Sequence, residues 1–310
     1  MGLSVDSDGQ RLFAPRLLGT FVRPDEFDHL AASAFDQHGA VAVWTTGSGA
    51  HRFAGNPALL AAYETSLSAA SRTLVVPQVP VSLARAAWMP GGDWLLAGPT
   101  GSEGSLLRVL TATGALRAEG RIADSIGQIA TDSDGFVWVA GCALTKLTRG
   151  LEQIWQSPGG VRDDASVEAV NVAPGVVVAG QTFDERPATL LRVREGQDTV
   201  TIPVPDVEGF DAVLVDGDWV GILPAVECEL VVGTLTGDEF AERFRVALRD
   251  KAGHSLYADE VTSRGDTAYL SNGYDWYTLT LAEVVADRPQ EAPRDAAPPA
   301  RHGWFGWGRG

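Results

Sequence analysis

Five polar residues sit at matching points of a recurring pattern, and together their types could do chemistry. Arg85, Gln128 and Glu168 each lie seven residues before a glycine (Gly92, Gly135 and Gly175), and Asp211 and Asp259 lie six before Gly217 and Gly265. If the repeating segments surround a common axis, these side chains converge on one mouth. Carboxylates gathered in a partly shielded mouth raise one another's pKa or hold a divalent cation, the basis of acid/base or metal-assisted chemistry. Arg85 works against the second use, because a guanidinium repels a cation and neutralises one carboxylate. The five residues are therefore expected to bind a ligand, with no metal and no cofactor assigned. Their other reading is a solvated rim without a task.

Familiar catalytic signatures are absent. The chain has no Gly-x-Ser-x-Gly elbow, no Gly-x-x-x-x-Gly-Lys phosphate loop and no His-Glu-x-x-His zinc helix. Asp132-Ser-Asp134-Gly135 and Asp6-Ser-Asp8-Gly9 look like half of a calcium loop, but neither has the later oxygen ligands or the closing glutamate. Turn chemistry is the expectation for both. The histidines show no i, i+2 or i, i+4 pairing, and His254, near Tyr257, Asp259 and Glu260, reads as part of a solvated loop. Cys142 and Cys228 have no partners at metal-ligand spacing and are expected to be core thiols.

The elements that must position the five residues come from a repeat. Its clearest copy is 129–141, Ile-Ala-Thr-Asp-Ser-Asp-Gly-Phe-Val-Trp-Val-Ala-Gly: a short apolar strand, a turn whose glycine supplies positive φ, and a second apolar strand. The same cadence returns at 34–44, 87–97, 170–179, 213–222 and 261–270. The turn glycines Gly39, Gly92, Gly135, Gly175, Gly217 and Gly265 are separated by 53, 43, 40, 42 and 48 residues, about the length of a four-stranded propeller blade. Third strands are expected at 57–60, 105–109 and 188–193, which share a Leu-Leu pair after a small residue (Ala58, Ser105 and Thr189). That register turns 56–70 from a helix, which Asn56-Pro57 before an Ala/Leu run would otherwise start, into strand. Fourth strands are expected at 72–79, 115–122, 152–156, 199–204 and 242–248. The sixth copy lacks one, and the N-terminal segment at about 10–21 is expected to supply it, so that no sheet edge is left open.

The Asp-Ser-Asp-Gly-Phe-Val-Trp-Val phrase at 132–139 resembles the repeat units of the broad propeller superfamily that includes NHL-type, sensor-type and streptogramin-lyase-type propellers. The resemblance implies a fold. The expectation is an all-β chain, a six-bladed β-propeller of four-stranded antiparallel blades over 1–286, with a disordered C-terminal tail at 287–310. Trp44, Trp88, Trp94, Trp138, Trp219 and Trp276 lie beside turns and are expected to fill the wedges between blades rather than stack a ligand.

Charge and the tail bear on function. A net charge of −16 opposes binding to a phosphate backbone, so nucleic acid is not an expected partner, while a basic protein or cationic ligand is. No apolar run is long enough to span a bilayer, and residues 1–16 lack a signal-peptide apolar centre, so a cytoplasmic location is expected. The Pro/Ala-rich stretch from 287 reads as a linker, and it ends in His302-Gly-Trp-Phe-Gly-Trp-Gly-Arg-Gly310. Trp304, Phe305 and Trp307 are expected to dock on another protein, or else to fold back on the propeller. The leading expectation is a noncatalytic interaction or ligand-binding propeller. A lactonase-like or lyase-like propeller enzyme and an acidic inhibitor of a basic partner are the alternatives.

Overall fold

A computed structural model describes residues 3–286 except 8, 24–28, 37–38, 46–57, 64–66, 77–84, 101–103, 124, 158–164, 184–186, 195–198, 226 and 273–274. The tail residues Trp304, Phe305 and Trp307 thus lie outside the described residues. The strands form six antiparallel blades, and the inner strands neighbour one another in a closed ring. Blade 1 holds His29–Asp36, Gly39–Thr45, Ala58–Tyr63 and Ala70–Val76, and blade 2 holds Arg85–Met89, Asp93–Pro99, Ser105–Leu110 and Leu116–Ile122. Blade 3 holds Gln128–Thr131, Val137–Ala140, Leu144–Leu147 and Gln153–Gln156, and blade 4 Ala165–Ala173, Val176–Phe183, Thr189–Arg194 and Val200–Pro203. Blade 5 is Phe210–Asp216, Trp219–Pro224, Glu229–Thr236 and Glu239–Leu248, and blade 6 begins with Glu260–Arg264, Thr267–Asn272 and Asp275–Thr280. The segment from Asn56 is strand where it is described, at Ala58–Tyr63.

In blades 2 to 6 the turn between the first two strands uses left-handed backbone, which is why glycine recurs there. Gly92, Gly135, Gly175, Gly217 and Gly265 have φ between 58° and 90°. At the blade-3 turn Asp132 accepts hydrogen bonds from the Asp134 and Phe136 N–H groups at 3.1 and 2.9 Å and from the Trp138 indole at 3.3 Å. Its carboxylate serves the turn.

Arg16–Thr20 completes blade 6 by antiparallel pairing with Asp275–Thr280, and the Thr20 hydroxyl bonds Asp275 at 2.8 Å. The N-terminal segment is nevertheless two strands, not one. Pro15, which has no N–H and a fixed φ, follows Arg11–Phe13, and that first strand pairs in parallel with the outer strand Glu239–Leu248 of blade 5. Phe13 is 2% exposed and packs with Leu248, Leu256, Tyr277 and Leu279 across the junction of blades 5 and 6. The next junction, between blades 6 and 1, is aromatic: Phe21 meets the Tyr63 ring at 4.8 Å and Phe35 meets Trp276 at 4.7 Å. A short helix, Leu281–Ala286, ends the described chain, with the Glu283 N–H donating to the Thr280 hydroxyl at 3.3 Å.

Most of the tryptophans fill the blade wedges, as Trp94 and Trp276, both 1% exposed, show best. The cysteines do not follow the expectation of a core thiol. Cys142 is exposed in the turn after Val137–Ala140 and Cys228 is half-buried before Glu229–Thr236. Both sit in loops between the second and third strands of a blade, outside the interlocked strand faces.

Phe13 bridges two blades from a strand only three residues long, so its loss cannot be relieved by repacking. Phe13→Ala is expected to destabilise the fold by about 3–5 kcal/mol, measurable as a shift in urea midpoint at constant slope.

Candidate functional site

The six inner strands enclose a cavity of about 630 Å³, and Arg85, Gln128, Glu168, Asp211 and Asp259 all line it. It extends along these strands to Phe35, Trp88 and Arg264. β-Bulges present the two central carboxylates. The pairing of blade 4 shifts between Val167 and Ala169, and that of blade 5 between Phe210 and Ala212, so Glu168 and Asp211 are the extra, unpaired residues of their strands.

Four polar side chains of the ring are engaged by neighbouring blades. The Arg85 guanidinium donates to the Gly127 carbonyl at 2.5 Å. Gln128 accepts from the Val170 N–H at 3.2 Å and donates to the Asp211 carbonyl at 2.6 Å, linking blades 3, 4 and 5. Glu168 accepts from the Phe210 N–H at 2.8 Å and from the Thr182 hydroxyl at 3.0 Å. Glu260 accepts from the Ser33 N–H at 3.2 Å and its hydroxyl at 2.9 Å, across the seam between blades 6 and 1. Further along the axis the fully buried Asn171 amide donates to the Val213 and Gly265 carbonyls at 2.5 and 2.9 Å and accepts from the Gly265 N–H at 2.8 Å. Several of these bonds join residues 42 apart, so the same step from one blade to the next is tied repeatedly.

Asp211 differs from its neighbours. Its backbone carbonyl accepts from Gln128, but among the described residues its half-buried carboxyl group has no hydrogen-bond partner. Burial, and then the charge of Glu168, push its pKa from 3.8 up to about 6. Burial also raises the Glu260 pKa, against the lowering effect of the Ser33 bonds and Arg85. The Arg85 pKa is lowered by burial and supported by Glu260.

Sequence spacing placed Asp259 in the ring and passed over Glu260 and Ser33. Asp259 is exposed, whereas Glu260 is the blade-6 residue that crosses to blade 1. Counting back from the turn glycine misjudges this position because some inner strands carry a bulge and the blade-6 strand pairs without one from Glu260 onward. His254 is 80% exposed and pairs with Asp250 at 3.5 Å, in keeping with a solvated loop.

No protein-family profile matches the chain, and no curated protein matches its sequence. Solved structures do match its fold. A chain of a mitotic checkpoint complex superposes with a TM-score of 0.57 at 9% identity, covering 90% of this chain and 99% of that one. The WD40 domain of Pan2 from Neurospora crassa gives 0.53 at 10% identity, covering 89% and 87%. A subtype N10 neuraminidase-like protein of A/little yellow-shouldered bat/Guatemala gives 0.52 at 10% identity, covering 84% and 96%. The chain is a six-bladed β-propeller. At these identities the likeness is one of architecture alone. Among the described residues, no helix is long and apolar enough to cross a membrane.

The raised Asp211 pKa has a definite sign in stability. The folded chain holds this proton more tightly than the unfolded chain, so stability is fullest below pH ~4, falls between ~4 and ~6, and stays lower above. Two units correspond to about 3 kcal/mol, which the solvent reaching this half-buried group reduces to about 1–2 kcal/mol. Asp211→Asn is expected to be more stable than the native chain by that amount at pH 7.5, with the difference vanishing below pH ~4. Urea titrations at the two pH values measure it, and a native chain at least as stable as the variant at pH 7.5 contradicts it.

Proposed function

We propose that this chain is a noncatalytic interaction propeller of the cytoplasm, which holds a protein partner through its C-terminal aromatic segment and its acidic surface. One observation carries the noncatalytic part: Arg85, Gln128, Glu168 and Glu260 are bonded to neighbouring blades. A group that ties two blades together is held in place by them, and moving it through a catalytic cycle would loosen the ring.

The tail supports the rest of the reading by its chemistry. Trp304, Phe305 and Trp307 are the residue types that anchor in partner grooves, and the Pro/Ala-rich stretch before them gives reach without a core of its own. The net charge of −16 favours a basic partner surface and faster encounter with it.

A propeller enzyme is the second reading, favoured by a single feature, the Asp211 carboxyl beside Glu168 with a pKa near neutrality. A pH–rate profile with an inflection near 6 that disappears in Asp211→Asn would support it over the first reading.

Affinity purification of the full chain and of a Trp304→Ala, Phe305→Ala, Trp307→Ala variant tests the docking segment. The triple variant is expected to lose the partner while keeping its melting temperature, and recovery equal to that of the native chain overturns the reading. Complexes formed through the acidic surface are expected to weaken as salt rises from 0.05 to 0.5 M (about these limits).

A further inference from the structure

We propose that the central channel binds an organic cation, an ammonium or guanidinium group on a slim aliphatic stem, with the Asp211 carboxylate as its counter-ion. This site is separate from the docking segment and uses only the channel wall.

The cavity of about 630 Å³ is of the size that takes a small ligand or a long side chain. Its wall carries four carboxylates, Glu168, Asp211, Asp259 and Glu260, against two guanidiniums, Arg85 and Arg264. The wall is therefore negative, but the ligand is selected by one group within it. Glu168 and Glu260 already accept two hydrogen bonds each from the protein, and Arg85 donates to Gly127. Among the described residues, Asp211 alone of these has no side-chain partner, only the repulsion of Glu168.

That repulsion is built in. The Phe210 N–H and the Thr182 hydroxyl hold Glu168 from two sides, so it cannot swing away from Asp211, and each of the two carboxylates stands at a bulge that aims it off the regular pairing. A half-buried carboxylate beside another one is a standing cost to the fold that asparagine would remove. A bound cation removes it as well, by supplying both the missing donors and the opposite charge.

The position of Arg85 fits this use. Blades 2 and 5 are opposite in a ring of six, so a cation at Asp211 lies across the channel from the guanidinium, which Glu260 partly compensates. A divalent metal fits less well, because it takes six or more oxygen ligands and only one carboxylate here is unengaged. Small residues on the walls of blades 1 to 3, among them Ala32, Ala86 and Ala130, leave room across the channel from Asp211 for a few methylene groups.

A free amine and a Lys or Arg side chain of a partner share this chemistry. Isothermal titration of the full chain at pH 7.5 and low salt uses n-butylammonium and n-butylguanidinium as probes, n-butanol as the uncharged control, and a Gly-Lys-Gly peptide blocked at both ends (N-acetyl, C-amide) with its Nζ-acetylated form as the second source. At least one cation is expected to bind saturably and n-butanol not at all. Asp211→Asn, checked for folding by its melting curve, is expected to weaken the cation at least tenfold. Glu239→Gln, which removes an exposed charge on an outer strand, is expected to bind as the native chain does. Lowering the pH through about 6 is expected to weaken binding as Asp211 takes up its proton; the other charged groups on the cavity wall are Glu168, Asp259, Glu260, Arg85 and Arg264. Tighter binding of the peptide that is lost on acetylation identifies a side chain as the source, and equal or tighter binding of the small cations identifies a free amine. Both support the site. No saturable binding of any cation, or equal binding by Asp211→Asn, overturns it, and neither result touches the docking segment.

Discussion

A blade of four strands is too thin to bury both its faces, so the propeller exists only while each blade is fastened to the next. The apolar wedges supply most of the energy, but apolar contact is non-directional and would tolerate sliding. Direction comes from hydrogen bonds that cross between blades at a fixed step. Gln128 to Val170, Glu168 to Phe210 and Asn171 to Val213 each join a side chain to the backbone one blade on. Polar groups whose alternative is to be buried unsatisfied hold the register more sharply than wedge packing does. Arginines repeat the device nearer the rim: Arg149 of blade 3 reaches the buried Asp93 of blade 2 at 3.0 Å, and Arg192 of blade 4 bonds the Gly237 carbonyl of blade 5.

This constraint gives the gathering of polar residues around the channel a second reading beside that of an active site, namely a fastening. Polar residues are gathered around an axis in both cases. The two differ in whether the side chains point at one another across an empty centre or sideways into the adjoining blade. By that criterion Arg85, Gln128, Glu168 and Glu260 are fastenings, and Asp211 is the residue whose placement the fold does not explain.

Much of the fold was legible in the sequence because it rests on backbone constraints with strong residue preferences. The turn glycines mark five left-handed turns, and the strand phrases between them follow at blade length. What escaped is equally physical. A bulge adds a residue without any compositional mark, so the inward position drifts between blades, and Glu260, which lines the cavity beside Asp259, went unmarked. Pro15 was in plain view as the break between two N-terminal strands, but the parallel pairing of Arg11–Phe13 on blade 5 depends on contacts more than 200 residues away (about the separation of Leu12 and Ala247) that no local pattern encodes. The terminal helix had a local signal, Thr280 three residues before Glu283, which is the form of a capping box. The exposure of Cys142 followed from its place in a turn, which outweighs the general preference of free thiols for the interior.

The seam that closes the ring also sets an order of events. Thr20 and Asp275, which meet there, are among the first and last parts of the propeller to leave the ribosome. Blades 1 to 4 can assemble in turn as they emerge, but blade 6 has no outer strand until the early segment is recaptured, and blade 5 has bare outer backbone until Arg11–Phe13 docks. During synthesis the nascent chain therefore carries an unpaired leading segment and, towards the end, two unfinished sheets, the state in which pairing with a second nascent copy competes with pairing in the same molecule.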